Sequence, residues 1–143
     1  MGRSVLLLAT VPLFAGCGTS DVDVRSAEKF QRFPLYWVGR HFERWDLEAV
    51  DGLDYPSPIV TFIYGDCTPR GSDEPSCTPP FQIQVSRSCG GPATTGDGAR
   101  AVYMRGVQVK VYRGEGSRPG LPAKVLRRLR PINEARPPAD CGG

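Results

Sequence analysis

Hydrophobic residues fall along the chain in short runs, and most of the alternation with polar residues has a period of two. Phe81, Ile83 and Val85 are separated by Gln82 and Gln84, and Val107, Val109 and Val111 by Gln108 and Lys110. Successive side chains of a strand point to opposite faces, so each set predicts a strand with one face on a core and one in water. IVTFIYG (Ile59–Gly65) is the strongest stretch of this kind, rich in the β-branched and aromatic residues that fit a pleated surface. AVYM (Ala101–Met104) and VQVKVY (Val107–Tyr112) predict a β pair around Arg105–Gly106, and LYWVG (Leu35–Gly39) predicts a further strand. In RHFERWDLEAV (Arg40–Val50), Phe42, Trp45, Ala49 and Val50 suit a helix, but DLEAV alternates, and Leu47–Val50 is read as a strand.

Two segments carry helical spacing. Ser26–Phe33 predicts one or two turns, capped by Ser26 and ended by Pro34. In Leu121–Arg130, residues Leu121, Val125, Leu126 and Leu129 share a stripe, Lys124, Arg127, Arg128 and Arg130 lie largely off it, and Pro131 stops the helix. GLDYPSP (Gly52–Pro58), GGPATTGDG (Gly90–Gly98) and GEGSRPG (Gly114–Gly120) are turn and loop chemistry. Runs of strands with helices near both ends predict an α+β fold: a small antiparallel sheet of about four or five strands with a C-terminal amphipathic helix.

The N-terminus adds an address. Val5–Ala15 is free of charge and broken by Pro12. As a helix it reaches only about 18 Å, against about 30 Å of bilayer core, so it predicts a signal-peptide core rather than a span. Its end, LFAGC (Leu13–Cys17), resembles the lipobox of bacterial lipoproteins, in which small residues precede a cysteine that is alkylated by diacylglycerol and then becomes the N-terminus. Ala15 and Gly16 match that pattern; Phe14 stands where a branched aliphatic residue is usual. An ordinary secretory signal ending near Ala15 and a buried N-terminal helix are the competing readings. The lipobox resemblance implies lipidation (diacylglycerol and palmitate) at Cys17 and a lipid-anchored protein on the extracytoplasmic face of the cell membrane. It organises the chain as a signal peptide (1–16), a lipidated cysteine and tether (17–29), one domain (30–132) and a Pro/Gly-rich tail (133–143).

Cysteine parity points the same way. Of five cysteines, removing Cys17 leaves Cys67, Cys77, Cys89 and Cys141. An even set in an exported domain reads as two disulfides, for which sequence alone permits three connectivities. Cys67 and Cys77 flank a polar Pro/Gly loop that brings its ends together, whereas Cys77 and Cys89 bracket a strand. The expected pairing is therefore Cys67–Cys77 with Cys89–Cys141, at most about 3 and 4 kcal/mol by loop closure, and the domain is expected to be disulfide-stapled. No C-x-x-C pair is present and His41 is the lone histidine, so no metal, cofactor or redox role is predicted.

Charge changes the picture little. The 143-residue chain has a formal net charge of +3, which predicts neither nucleic acid nor acidic substrates. Residues 17–66 hold 5 basic and 9 acidic side chains and residues 67–143 hold 12 and 6, an asymmetry that either orients the domain or reflects pairing between its halves. The basic helix near the C-terminus offers a face to anionic headgroups, or simply charges in water. His41, with Asp46, Asp51 and Asp54 nearby in sequence, is the residue any Ser/His/Asp or Cys/His hydrolase would have to use, but no nucleophile elbow accompanies it. Neither glycine-rich loop matches a phosphate-loop pattern. Asp66, Asp73 and Glu74 assemble no carboxylate mechanism. Tyr36, Trp37 and Trp45 are candidates for a ligand pocket, or for the core.

IYGDCTP, SCTPPFQIQV and SRSC, with FPLYWVG and RGVQVKVY, resemble uncharacterised lipoproteins of high-GC actinobacteria over about Phe33–Leu129. The resemblance implies an exported envelope protein and supplies no activity. The expected function is that of a lipid-anchored envelope protein with a non-enzymatic binding or structural domain, its partner an envelope protein or a small ligand. A small-ligand-binding lipoprotein with an aromatic pocket is the alternative, and a hydrolase using His41 the third reading.

Overall fold

The computed structural model describes residues 21–65, 78–91, 98–114 and 116–141. The elements are α1 (Asp21–Lys29), β1 (Tyr36–Trp37), β2 (His41–Phe42), β3 (Trp45–Asp51), β4 (Ile59–Tyr64), β5 (Phe81–Arg87), β6 (Ala99–Met104), β7 (Val107–Arg113), α2 (Leu121–Leu126) and β8 (Arg130–Pro131), with a last 3-10 turn at Ala139–Cys141. Six strands form one curled antiparallel sheet in the order β2-β3-β4-β5-β7-β6, a half-barrel, and β1 pairs with β8 in a separate two-stranded sheet.

The period-two pattern builds the core as expected. Val60, Phe62 and Tyr64 of β4, Phe81, Ile83 and Val85 of β5, and Val107, Val109 and Val111 of β7 are fully buried. They meet in cross-strand rows, Phe62 opposite Ile83 and Ile83 opposite Val111, Val60 opposite Val85 and Val85 opposite Val109. Phe81 is an aromatic hub: Tyr64 stacks on it at 4.5 Å, and Phe42 and Trp45 meet it edge-on at 5.7 and 5.6 Å. Arg105 and Gly106, both at positive φ (48° and 77°), make the two-residue turn between β6 and β7 whose twist matches the strands it joins.

The expected α+β class does not hold. The described chain is mostly β, with six strands in the main sheet rather than four or five, and its helices are short. The C-terminal helix covers Leu121–Leu126 and closes on Arg127; Arg130, which Pro131 keeps out of the helical region, is extended and pairs with Trp37. The N-terminal helix starts at Asp21, not Ser26, and buries Val24 and Ala27 in the core cluster. Nor is a complete disulfide bridge found among the described residues. Cys67, Cys77 and the Cys141 side chain lie outside them; Cys89, whose sulfur is engaged in a disulfide, sits with Sγ 3.8 Å from the Asp140 carbonyl oxygen. What holds residues 30–39 onto the described sheet is packing and two polar side chains. Cys17 also lies outside the described residues. Among them, no helix is long and apolar enough to cross a membrane.

The first of those polar side chains is Asn133, buried in the segment expected to be a tail. Its Oδ1 accepts from Leu35 N (2.8 Å), and its Nδ2 donates to Phe30 O (2.6 Å) and Phe33 O (3.1 Å). The second is Tyr64, which donates to Gly39 O (2.9 Å) and accepts from Val38 N (3.4 Å). Burial pushes the Tyr64 phenol far above its ordinary value, keeping the hydroxyl a donor at every physiological pH.

Asn133→Ala leaves the Leu35 amide and two carbonyls buried and unpaired. The expected loss is about 3 kcal/mol, read as a fall in Tm of about 10 °C. A loss under about 0.5 kcal/mol, the scale of an ordinary surface substitution, would show that residues 30–35 are held without it.

Candidate functional site

The curled sheet leaves its two edges apart, and α2 spans the gap. On one side α2 lies against β7 and β6; on the other its Lys124 pairs with Glu43 in the turn between β2 and β3. The loop before α2 is fixed by Ser117, which donates through Oγ to Gly114 O (2.7 Å), and by Arg113, which donates to Ser117 O (3.2 Å). A half-open cleft of about 650 Å³ lies along this seam, lined by Glu43, Arg44, Trp45, Gly116, Arg118, Gly120, Leu121, Lys124 and Arg127.

Trp45 supplies the flat apolar wall. Its inner edge rests on Phe81, and Arg44 lies over its ring at 4.9 Å. Gly65 (φ +89°) allows this close packing, since a side chain there would come 2.5 Å from Pro80 and 3.1 Å from the indole. The other wall is cationic. Among the described lining residues Arg44, Arg118, Lys124 and Arg127 stand with one carboxylate, Glu43, and no described carboxylate pairs with Arg118 or Arg127. A cleft of this size with one aromatic surface and convergent cations has the make-up of a small-molecule site for an anion on an apolar body.

A second hollow of about 480 Å³ adjoins the first and is lined by Val38, His41, Phe42, Glu43, Lys124, Arg128 and Arg130. His41 Nδ1 lies 2.6 Å from Asp46 Oδ1 across the β2–β3 pair, and both side chains are exposed, 62% and 80%. The bond to Asp46 holds the imidazole pKa above its ordinary 6.5. This is a base with an orienting acid, and no serine, threonine or cysteine is among the described residues that line the hollow. Among the described residues no three His, Cys, Asp or Glu side chains gather as a metal site.

The expected aromatic pocket separates into two places. Tyr36 and Trp37 are buried on β1, with Trp37 tilted against Phe62 at 6.2 Å and Arg130 over its ring, while Trp45 is half-buried at the cleft. Asp51 caps its own turn by accepting from Gly52 N, and Asp66, Asp73 and Glu74 lie outside the described residues. Sequence reasoning missed Arg44 and Arg118 as cleft residues. The signal for Arg118 was the basic residue in the Gly/Pro turn just before α2. No protein-family model, curated protein or solved structure matches this chain.

The His41 pair has a testable pH signature. The His41 NMR titration should have its midpoint above 6.5, and Asp46→Asn should return it to about 6.5. Because the folded value is the higher, the pair's contribution to stability is complete below about pH 6.5 and is lost as pH rises through the folded value. A titration unmoved by Asp46→Asn would remove Asp46 as the cause.

Proposed function

We propose that this protein is a lipid-anchored envelope protein on the extracytoplasmic face of the membrane, similar to the actinobacterial lipoproteins its sequence resembles, and that its domain acts by binding. The address rests on LFAGC at Leu13–Cys17 and on the even number of cysteines left after Cys17. The binding site is the cleft beside Trp45, and its ligand is a small molecule carrying an anionic group on a flat, apolar body. One observation carries this choice: an open cleft with a half-buried indole and with Arg118 and Arg127 free of any described carboxylate.

The physical reason is local. Like charges crowded on one rim repel each other, and each prefers an anion to water alone at short range. An anion in the cleft satisfies Arg118, Arg127 and Lys124 together, while an apolar ring takes the exposed part of the Trp45 surface out of water. A hydrolase on His41 has less support, because the described residues lining its hollow include no nucleophilic side chain.

The binding half is tested with 1-anilinonaphthalene-8-sulfonate, an aromatic sulfonate. It should bind saturably with enhanced emission, and Arg118→Glu with Arg127→Glu should weaken it at least about 10-fold, the loss of one charge-assisted contact or more. Trp45→Ala should weaken it comparably, with Tm close to the parent for the arginine pair. Binding unchanged by either variant would overturn the cleft. The address is tested by mass spectrometry of the membrane fraction, digested without reduction: a diacylglycerol-modified peptide beginning at Cys17 is expected, and an unprocessed Met1 would overturn it.

A further inference from the structure

We infer that the Trp45 cleft and the His41 hollow are two halves of one trough, built for an elongated ligand with two or more anionic groups, in which the Glu43 carboxylate occupies Lys124 until the ligand displaces it. This rests on the binding reading above and specifies its ligand class. The two depressions share two lining residues, Glu43 and Lys124, and these are ion-paired to each other. In this reading the pair bridges the middle of one depression, and the cations on its two sides belong to one site.

The cations are divided between the two halves by the end of α2. Arg127 lines the cleft and its neighbour Arg128 lines the hollow, because consecutive residues just past the helix point to different sides. Arg44 and Arg118 add to the first half, and Arg130 and His41 to the second. Among the described residues Glu43 is the sole carboxylate lining either half; Asp46, which holds His41, lines with Glu48 a neighbouring groove that shares Arg44 and Trp45 with the cleft. A single compact anion would engage the cations of one half and leave those of the other unsatisfied. Two anionic groups on one molecule would engage both.

Glu43 is suited to be displaced. It sits at φ +55° in a two-residue turn, a backbone conformation that non-glycine residues seldom adopt, so its carboxylate is presented on a tight, fixed loop rather than on a strand. The Lys124 and Glu43 side chains remain 53% and 35% exposed, and an ion pair so wet holds weakly. A phosphoryl group carries more charge than a carboxylate and accepts from several donors at once, so it competes well for Lys124. The shared chemistry is that of phosphoryl or multiply carboxylated groups spaced along a chain, either free in solution or displayed by lipid headgroups.

The test compares inorganic phosphate with tripolyphosphate by calorimetry on the whole mature protein at about 0.1 M salt, where the Debye length of about 10 Å leaves contact charges unscreened. Tripolyphosphate should bind at least 10-fold tighter than phosphate. Arg128→Gln, an exposed position, should remove most of that advantage while leaving anilinonaphthalene-sulfonate binding at the Trp45 cleft unchanged, and Glu43→Gln should tighten tripolyphosphate several-fold. Equal affinity for the two phosphates, an unaffected Arg128→Gln, or weaker binding by Glu43→Gln overturns the trough; if the aromatic sulfonate still binds, the cleft reading survives alone. Loss of the sulfonate as well sinks both. Phosphatidylglycerol vesicles separate the sources: competition by vesicles that is abolished in Arg128→Gln supports the same trough filled by headgroups, whereas vesicle binding indifferent to Arg128 overturns it.

Discussion

The segment from Phe30 to Gly39 decides how the rest of this molecule is held. It passes over the core with Phe30, Phe33, Leu35, Tyr36 and Trp37 buried, yet only Tyr36 and Trp37 belong to a strand. Buried backbone groups outside regular structure must find partners or cost about 1–3 kcal/mol each. Asn133 supplies them for one end and Tyr64 for the other. An amide can donate and accept at once, and so can a phenol; no apolar or purely anionic side chain could replace either. Because Asn133 lies just past β8, fixing it also fixes β8 against β1, and with β8 the preceding turn and α2. The cleft is a by-product of that lock: α2 is placed across the open side of the sheet, and its Lys124 reaches the β2–β3 turn.

The main sheet was legible because its signal is local and repeated. Alternation in β5 and β7 and the β-branched run in β4 each state a face, and the rows Phe62–Ile83–Val111 and Val60–Val85–Val109 follow once those strands pair. The two-residue strands β1, β2 and β8 were less so, since two residues carry no period. Their existence depends on partners far along the chain: Tyr36 on Pro131, His41 on Asp46. The helix was overextended for a specific reason. The apolar stripe runs on to Leu129, but Pro131 acts through the residue before it, and Arg130 takes the strand side of that conflict. Asn133 was passed over because a single polar residue in a Pro-rich stretch looks like a loop until the carbonyls it meets, about a hundred residues earlier, are in place.

The site was legible in its ingredients and not in its grouping. Tyr36, Trp37 and Trp45 are neighbours in sequence, but β1 belongs to the small sheet and turns its rings into the core, whereas Trp45 opens β3 at the rim. The basic residues after Leu121 read as one solvated face of a helix. Ending that helix at Leu126 instead sends Arg127 and Arg128 to different depressions. The uneven charge of the two halves of the chain has a structural counterpart in the Lys124–Glu43 pair, which joins them, and among the described residues Glu43 is the one acid that lines the cleft or the hollow.

That last imbalance is the strongest argument that the cleft is more than a crease between elements. Packing alone would place any side chains at the seam between α2 and the β2–β3 turn, and a neutral or mixed rim would cost less than one with Arg44, Arg118, Lys124 and Arg127 beside Glu43, the one carboxylate among its described lining residues. The packing does not call for Arg118 or Arg127: α2 is held by Leu121, Pro122 and Val125 on its buried side and by the exposed Lys124–Glu43 pair, and the turn by Phe42 against Phe81. Charges that the core does not use, set against an indole that the core does not fully cover, support the proposal of an anion-binding surface.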